Sequence, residues 1–302
     1  FTKYNFNKKK LILHRASMKY YFKYLKDHNY NVNYLEFNDK FKKNKQDIIY
    51  LFDPIDNFDL GDIQIDRIIE SPNFLLTLDD YKKYRKKTDK FQFHNFYKWA
   101  KKTLNIIPDV KSKDKYNRSK IKGKISIPDL PINNYDKKYV SDATKYVDKH
   151  FYDNYGNIDN FIYPISHNSA ESWKLDFFEN KLDKFGPYQD FIYDKQPYLY
   201  HSCLSSSINI GLICPYDIID YLLPLIDEYP INSFEGYIRQ LFWREYQRYT
   251  YIYCDFNSDY FGNTKKLSSQ WYSGSLGIPP VDDYIKIGFD TGYLHHIIRL
   301  MV

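Results

Sequence analysis

The hydrophobic pattern of the chain changes near residue 136, and this change constrains the fold more than any other feature. Before residue 107, helical patterns alternate with short apolar runs that favour β-strands. After residue 135, apolar residues recur at the spacing of amphipathic helices, and no segment alternates as a strand does. The fold class predicted is therefore α/β: an N-terminal Rossmann-like parallel-sheet domain followed by an all-helical domain.

Three strands and two helices are predicted in the first part of the chain. The strands are VNYLEF (residues 32–37), DIIYLFDP (47–54, a buried strand) and the start of RIIESPNFLLT (67–77), while residues 8–28 and 89–104 have helical spacing. Parallel α/β domains normally begin with a strand, whereas this pattern begins with a helix. We therefore expect that a first strand is missing from this chain.

The segment from residue 108 to residue 135 separates the two patterns. It is rich in Lys, Asp, Pro and Ser, as linkers between domains are. The predicted organisation is an α/β domain at 1–107, a linker at 108–135 and a helical domain at 136–302. The chain begins with Phe1 rather than Met, and its last residues (LHHIIRLMV) form an apolar helical pattern. Both ends are therefore expected to be cuts through a longer protein.

Composition excludes some classes of protein and leaves others open. With 27% charged and 43% hydrophobic residues, the 302-residue chain is typical of a globular protein, and the sequence contains no membrane-spanning apolar run. Three cysteines without a CxxC spacing indicate free thiols in an intracellular protein, with the compartment (cytoplasm or nucleus) left open. The net charge of +6 permits a polyanionic partner such as DNA. However, most surplus lysines precede residue 125, in runs typical of solvated helix faces.

The first candidate site is the serine-rich segment HSCLSSS (residues 201–207), which precedes the apolar run INIGLI. Hydroxyl groups at the start of a helix can cap backbone N–H groups, and the helix dipole then favours a phosphate. The alternative is an ordinary helix cap with additional serines.

The second candidate is the helical segment FEGYIRQLFWREYQRY. Arg239, Trp243 and Tyr246 fall at i, i+4 and i+7, which places them on one helix face. An aromatic ring flanked by Arg and Glu can stack on a planar charged ligand or a nucleobase. A partly buried helix with surface ion pairs is the alternative.

The third candidate is the pair His295-His296, predicted to lie on a helix that ends in IIRLM. A histidine there could act as a general acid. A structural or surface role is the alternative, and adjacent helical positions point about 100° apart, so one of the two is expected to face a site. No metal site is predicted, because the sequence offers no third ligand at a suitable spacing.

Taken together, these motifs resemble one known family. The segments FGPYQD, HSCLSSSINIGL, FEGYIRQLFWREY and YLHHIIRLM resemble the cryptochrome/photolyase family. The most similar branch contains iron–sulfur bacterial cryptochromes and prokaryotic (6-4) photolyases, often called deoxyribodipyrimidine photolyase-related proteins. KKKLILHRASMKYYFKYL, HNFYKWAKKTLNII and KYNRSK also resemble that branch, so the similarity extends over nearly the whole chain.

The resemblance implies that the helical domain holds FAD and acts on UV-damaged DNA. By motif, the residues assigned to FAD binding are Ser202, Leu204, Ser205, Asn209, Arg239 and Glu245, the first three of them at the cofactor's phosphates. Those assigned to the lesion and its chemistry are Gln240, Trp243, His295 and His296, with His296 as the proton donor.

Further expectations concern cofactors and assembly. The resemblance implies an antenna chromophore of the lumazine or pterin type and a monomeric protein. Pro280 falls near the branch's first cluster cysteine, so an iron–sulfur cluster is not expected in this chain. Two alternatives to a repair enzyme stay open: a blue-light-sensing cryptochrome that binds FAD without repairing DNA, and a degenerate family member without activity.

Overall fold

The computed structural model describes residues 4–36, 39–55, 63–117, 125–131, 137–193, 196–256 and 258–302. These residues form mainly α-helices, together with two short strands, β1 (Tyr50–Phe52) and β2 (Arg67–Ile69). In chain order the helices are α1 (Lys8–Asp27), α2 (Leu78–Arg85), α3 (Phe93–Leu104), α4 (Lys137–His150), α5 (His167–Asn180), α6 (Leu182–Tyr188), α7 (Ser205–Asn209), α8 (Pro215–Leu222), α9 (Ile231–Tyr253), α10 (Gln270–Ser273) and α11 (Pro279–Thr291). None of these helices is long and apolar enough to cross a membrane.

The two strands pair in parallel, as the alternating pattern predicts. Tyr50 lies opposite Arg67, and Phe52 lies opposite Ile69. The prediction that residues 47–54 form a buried strand is wrong, because Tyr50 and Phe52 are more than half exposed. The strand predicted at residues 32–37 is not seen at residues 32–36, which are irregular. Phe37 lies outside the described residues.

Helix α1 packs on α4, which explains why it leaves the strands exposed. Leu11, Ile12 and Ala16 of α1 are buried against Ala143 and Val147 of α4. The buried residues of α1 therefore pack in a helix–helix contact and not on the two strands. Burial of a Leu or Ile side chain contributes about 1.5–3 kcal/mol.

Helix α9 lies at the centre of the larger core. Both α3 and α6 pack against it. Phe242 and Tyr249 of α9 are fully buried in the same cluster as Tyr81 of α2 and Phe96 of α3. Segments from both sides of the predicted linker thus contribute to one core, while the division of the chain into domains stays a prediction.

Helix boundaries follow local sequence signals. Helix α5 begins with a capping box in which Ser166 and Ser169 bond to each other's backbone N–H groups. Helix α8 begins at Pro215 and gives way to a 3-10 turn at Leu223–Leu225, because Pro224 cannot continue an α-helix. The helical spacing predicted after residue 135 is therefore confirmed for α4, α5, α8 and α9.

Candidate functional site

The serine-rich segment forms a turn followed by a very short helix. Helix α7 contains five residues, Ser205–Asn209, and its N-cap is Leu204, which makes no side-chain cap hydrogen bond. The expectation that a serine hydroxyl caps the helix is therefore wrong. Instead, the Leu204 N–H donates to the Ser202 hydroxyl oxygen at 3.4 Å, and Cys203 adopts a left-handed backbone with φ of 53°. These two features shape the turn before the helix starts.

This turn forms one wall of a cavity of about 190 Å³. Helix α9 forms a second wall with Tyr237 and Gln240, and the segment after α11 forms a third. The cavity brings together six residues assigned from the motifs: Ser202, Leu204, Ser205, Gln240, His295 and His296. They come from three segments that are separated by dozens of residues in the sequence, so folding creates the arrangement.

The histidine pair lies on irregular backbone, contrary to the helix predicted for this segment. Helix α11 ends at Thr291, Gly292 follows with a left-handed φ of 70°, and the next helical turn is a 3-10 turn at Ile298–Leu300. The glycine and the short turn interrupt the apolar helical pattern. As a result both His295 and His296 line the cavity, whereas helical geometry predicts that one of them does so.

His295 is buried and held in its neutral form. Its ring stacks on that of His201, with 4.7 Å between the ring centroids. Burial, reinforced by the neighbouring His201 and His296, lowers the pKa of His295 from 6.5 to about 3. Neither of its ring nitrogens has a hydrogen-bond partner among the described residues. Such orphaned groups are uncommon in folded proteins.

The two neighbouring histidines have partners. The ring nitrogens of buried His201 lie 3.0 Å from the Tyr198 carbonyl oxygen and 2.9 Å from that of Gln189, and burial lowers the pKa of His201. A neutral ring has one N–H, so it donates to one of these two carbonyls. His296 Nε2 lies 2.9 Å from Asp190 Oδ1, and the His296 side chain is 47% exposed. His296 therefore lies at the mouth of the cavity and is oriented by Asp190.

Glu245 lies outside the cavity and holds the backbone that precedes α2. Its carboxylate accepts hydrogen bonds from the N–H groups of Leu75 and Leu76, each at 3.0 Å, and from the Tyr81 hydroxyl at 2.8 Å. Burial raises the pKa of Glu245. The geometry is that of a structural anchor between α9 and the start of α2.

Arg239 and Asn209 also have protein partners away from the cavity. Arg239 forms an ion pair of 2.8 Å with Asp114. Asn209 is the last residue of α7 and accepts a hydrogen bond of 3.2 Å from Arg244 Nε. Asn209 lines a separate cavity of about 470 Å³ whose other walls include His14.

Trp243 does not line the cavity either. Its ring stacks on Phe93 of α3, with 3.6 Å between centroids and an angle of 10° between the planes. The i, i+4, i+7 pattern correctly indicates a face of α9 rich in aromatic residues, because Tyr246 also contacts Phe93. That face packs on α3, which favours the structural alternative for Trp243.

Some residues of the site have no role assigned from the sequence. His201, Gln189 and Asp190 surround the histidine pair. Gln189 also accepts a hydrogen bond of 3.2 Å from Gln240 Nε2 through its side-chain oxygen. The motif FGPYQD contains both Gln189 and Asp190, so the signal was present, but nothing in the spacing places this motif beside residue 296.

Comparison with known proteins assigns the chain to a family. The family model described as deoxyribodipyrimidine photo-lyase-related protein matches residues 1–163, more than half of the chain. The chain therefore belongs to this photolyase-related family, as the motifs predict.

Individual relatives also match parts of this chain, and the longest of the matches described below extends beyond residue 163. A (6-4) photolyase of Agrobacterium fabrum is 33% identical over 199 residues, which cover 63% of this chain and 38% of the photolyase. An uncharacterized protein of Acanthamoeba polyphaga mimivirus is 44% identical over 113 residues, covering 35% of this chain and 85% of the viral protein. A second uncharacterized mimivirus protein is 36% identical over 149 residues, covering 40% of this chain and 76% of its own length.

Proposed function

We propose that this protein is a photolyase-like flavoprotein that acts on UV-induced pyrimidine lesions in DNA. The observation that carries the proposal is the cavity in which the 202–205 turn, Gln240 and the histidine pair meet. The resemblance assigns the turn to the cofactor and the other residues to the lesion. Similarity to a (6-4) photolyase supports the same function.

The cavity residues suit part of a flavin dinucleotide. A volume of about 190 Å³ is below the ~300 Å³ at which small-molecule pockets usually begin. A neighbouring cavity of about 410 Å³ has Tyr293, Leu294 and Arg299 in common with it, and it is also lined by Trp271 and Tyr272. Hydroxyl donors, a guanidinium group and aromatic rings are groups that recognise phosphates and planar rings. When bound, FAD supplies the light-driven electron transfer to the lesion.

Each residue of the cavity has a distinct role in the proposal. The hydroxyls of Ser202 and Ser205 bind cofactor phosphate. Gln240 donates a side-chain N–H towards the lesion, and His296, oriented by Asp190, gives a proton to it. His295 stays neutral and supports the wall. Arg239, Glu245 and Asn209 hold surrounding segments, and Trp243 packs on Phe93 outside this cavity.

DNA enters the proposal as a flipped-out lesion. A cavity of this size admits a nucleobase only after that base has left the duplex stack. The net charge of +6 favours association with phosphates, and such association weakens as salt concentration rises.

The first experiment measures cofactor binding and repair on the purified chain. After incubation with FAD and gel filtration, we expect flavin absorption bands to co-elute with the protein. Blue light is then expected to remove (6-4) lesions from an oligonucleotide, as detected by chromatography. Flavin binding without repair of (6-4) or cyclobutane lesions would favour light sensing, and absence of flavin in folded protein would contradict both functions.

The role of His296 is tested by replacing it. In His296→Ala we expect loss of (6-4) repair with unchanged FAD binding, because the side chain lies at the cavity mouth and is half exposed. His94→Ala, an exposed position on α3, is the matched control and retains repair. Repair by His296→Ala at the wild-type rate would remove His296 from the mechanism.

A further inference from the structure

We propose that His201, His295 and His296 form a binding site for one divalent transition-metal ion, with Zn²⁺ as the reference ion. One ring nitrogen from each histidine lies within 4.8 Å of the others. Imidazole is a preferred ligand of Zn²⁺, Co²⁺, Ni²⁺ and Cu²⁺. The proposal concerns the chain without a bound lesion, because His296 cannot hold the ion and give a proton to a lesion at the same time. It does not depend on flavin binding or on DNA repair.

His295 provides the strongest support. Its side chain is buried, with 4% of the residue exposed, and it lines the cavity. Both of its ring nitrogens lack hydrogen-bond partners among the described residues. Buried polar groups nearly always have a partner, and a ligand that accepts the lone pair of this ring would satisfy one of its two nitrogens. A metal ion in the cavity supplies that interaction.

His201 and Asp190 supply the outer contacts that metal-bound imidazoles require. Such rings usually bind the metal through one nitrogen and donate from the other to a carbonyl or a carboxylate. His201 faces the carbonyl oxygens of Gln189 and Tyr198, so one contact can orient the ring while the other nitrogen turns to the metal. For His296, Asp190 is the carboxylate, and Nδ1 is left for the metal.

Small movements complete the site. Zn–N bonds of 2.0–2.1 Å place tetrahedral ligand nitrogens roughly 3.4 Å apart, so nitrogens up to 4.8 Å apart must approach one another. His296 can adjust readily, because its side chain is half exposed. The stacked rings of His201 and His295 must also turn so that their in-plane nitrogen lone pairs converge on one ion. Water from the open side of the cavity provides the fourth ligand. Three imidazoles are a poor ligand set for Mg²⁺, which prefers oxygen, so we expect selectivity against it.

The test is a titration of the full chain with Co²⁺, whose visible d–d absorption reports coordination by nitrogen ligands. We expect one ion to bind per chain, to be displaced by Zn²⁺ and to be unaffected by excess Mg²⁺. In His295→Ala the affinity is expected to fall at least about ten-fold. The matched control His94→Ala removes an exposed histidine outside the cavity and is expected to bind as the wild type does.

A second variant and a folding control allow the proposal to be tested even if His295→Ala does not fold. Asp190→Asn retains all three histidines and is expected to weaken binding by about ten-fold. Circular dichroism establishes folding of each variant. Cys203 also lines the cavity but is not one of the three proposed ligands, so no thiolate-to-cobalt charge-transfer band is expected. Absence of saturable one-to-one binding, a thiolate band, or wild-type affinity in the folded His295→Ala and Asp190→Asn variants would overturn the proposal.

Discussion

Two buried carboxylates and a buried histidine on two sides of α9 differ in their hydrogen bonding. On the side that faces residues 75–113, the carboxylates of Glu235 and Glu245 are buried and fully engaged by backbone N–H groups and tyrosine hydroxyls. On the cavity side, His295 is equally buried but neither ring nitrogen has a partner among the described residues. Paired groups stabilise the fold, whereas an unpaired group at a cavity wall is available to a ligand.

The largest expected effect is that of Glu245→Ala. The change leaves the N–H groups of Leu75 and Leu76 and the Tyr81 hydroxyl without their acceptor in the core. We expect the free energy of unfolding to fall by about 3 kcal/mol, measured by urea denaturation. Glu179→Ala, at an exposed position on α5, is the control and should change stability by less than about 0.5 kcal/mol. Equal effects of the two substitutions would remove the contrast between the regions.

A smaller effect is expected for Glu235→Gln. Glu235 accepts hydrogen bonds from the Tyr97 hydroxyl at 2.8 Å and from the Lys113 N–H at 3.0 Å. A carboxamide keeps one acceptor oxygen but turns an NH₂ group towards the other donor, so we expect a loss of about 1–2 kcal/mol. A double-mutant cycle with Tyr97→Phe should give a coupling free energy of about 1 kcal/mol. Additive effects of the two changes would mean that the hydrogen bond contributes little.

The smallest effect on stability at pH 7 is expected for His295→Leu. Leucine fills a similar volume and removes two ring nitrogens that lack partners, so the free energy of unfolding should change by less than about 1 kcal/mol. A loss comparable to that of Glu245→Ala would show that His295 is paired in solution.

The same variant, His295→Leu, also tests how the free energy of unfolding depends on pH. Because the pKa of His295 falls from 6.5 to about 3 on folding, the unfolded chain binds a proton between these values and the folded chain does not. Wild-type stability should therefore decrease as pH is lowered from 6.5 towards 3. His295→Leu should show a shallower decrease in denaturation experiments across this range. Identical slopes would indicate that His295 titrates normally in the folded protein.

Periodicity predicted the helices well because an amphipathic helix is specified locally. The patterns that became α4 and α5 are examples, and each has its buried residues along one side. The strand predictions were less successful, since burial of a strand depends on what packs against it. Residues 47–54 resemble a buried strand, yet α1 packs on α4 and leaves Tyr50 exposed. That choice of packing partner is not encoded in a local pattern.

For the candidate site too, prediction succeeded for local motifs and failed for contacts between distant parts of the chain. Motif resemblance identified six cavity residues from three segments, including Gln240 and His296. It did not identify the third histidine of the cluster or the carboxylate beside His296, because sequence spacing does not report the distance between residues 201 and 295 or between 190 and 296. It also grouped Glu245 with the flavin, although the carboxylate anchors Leu75 and Leu76.

The contacts made by Glu245 also affect how the chain folds. Its hydrogen bond to the Leu75 N–H joins residues that are 170 positions apart. Closing so long a loop is entropically expensive, and folds rich in such distant contacts form slowly. During synthesis, Tyr81 and Phe96 cannot reach their buried positions until the ribosome has released α9. The early part of the chain therefore exposes aromatic residues for much of translation, a period in which chaperones could protect it from aggregation.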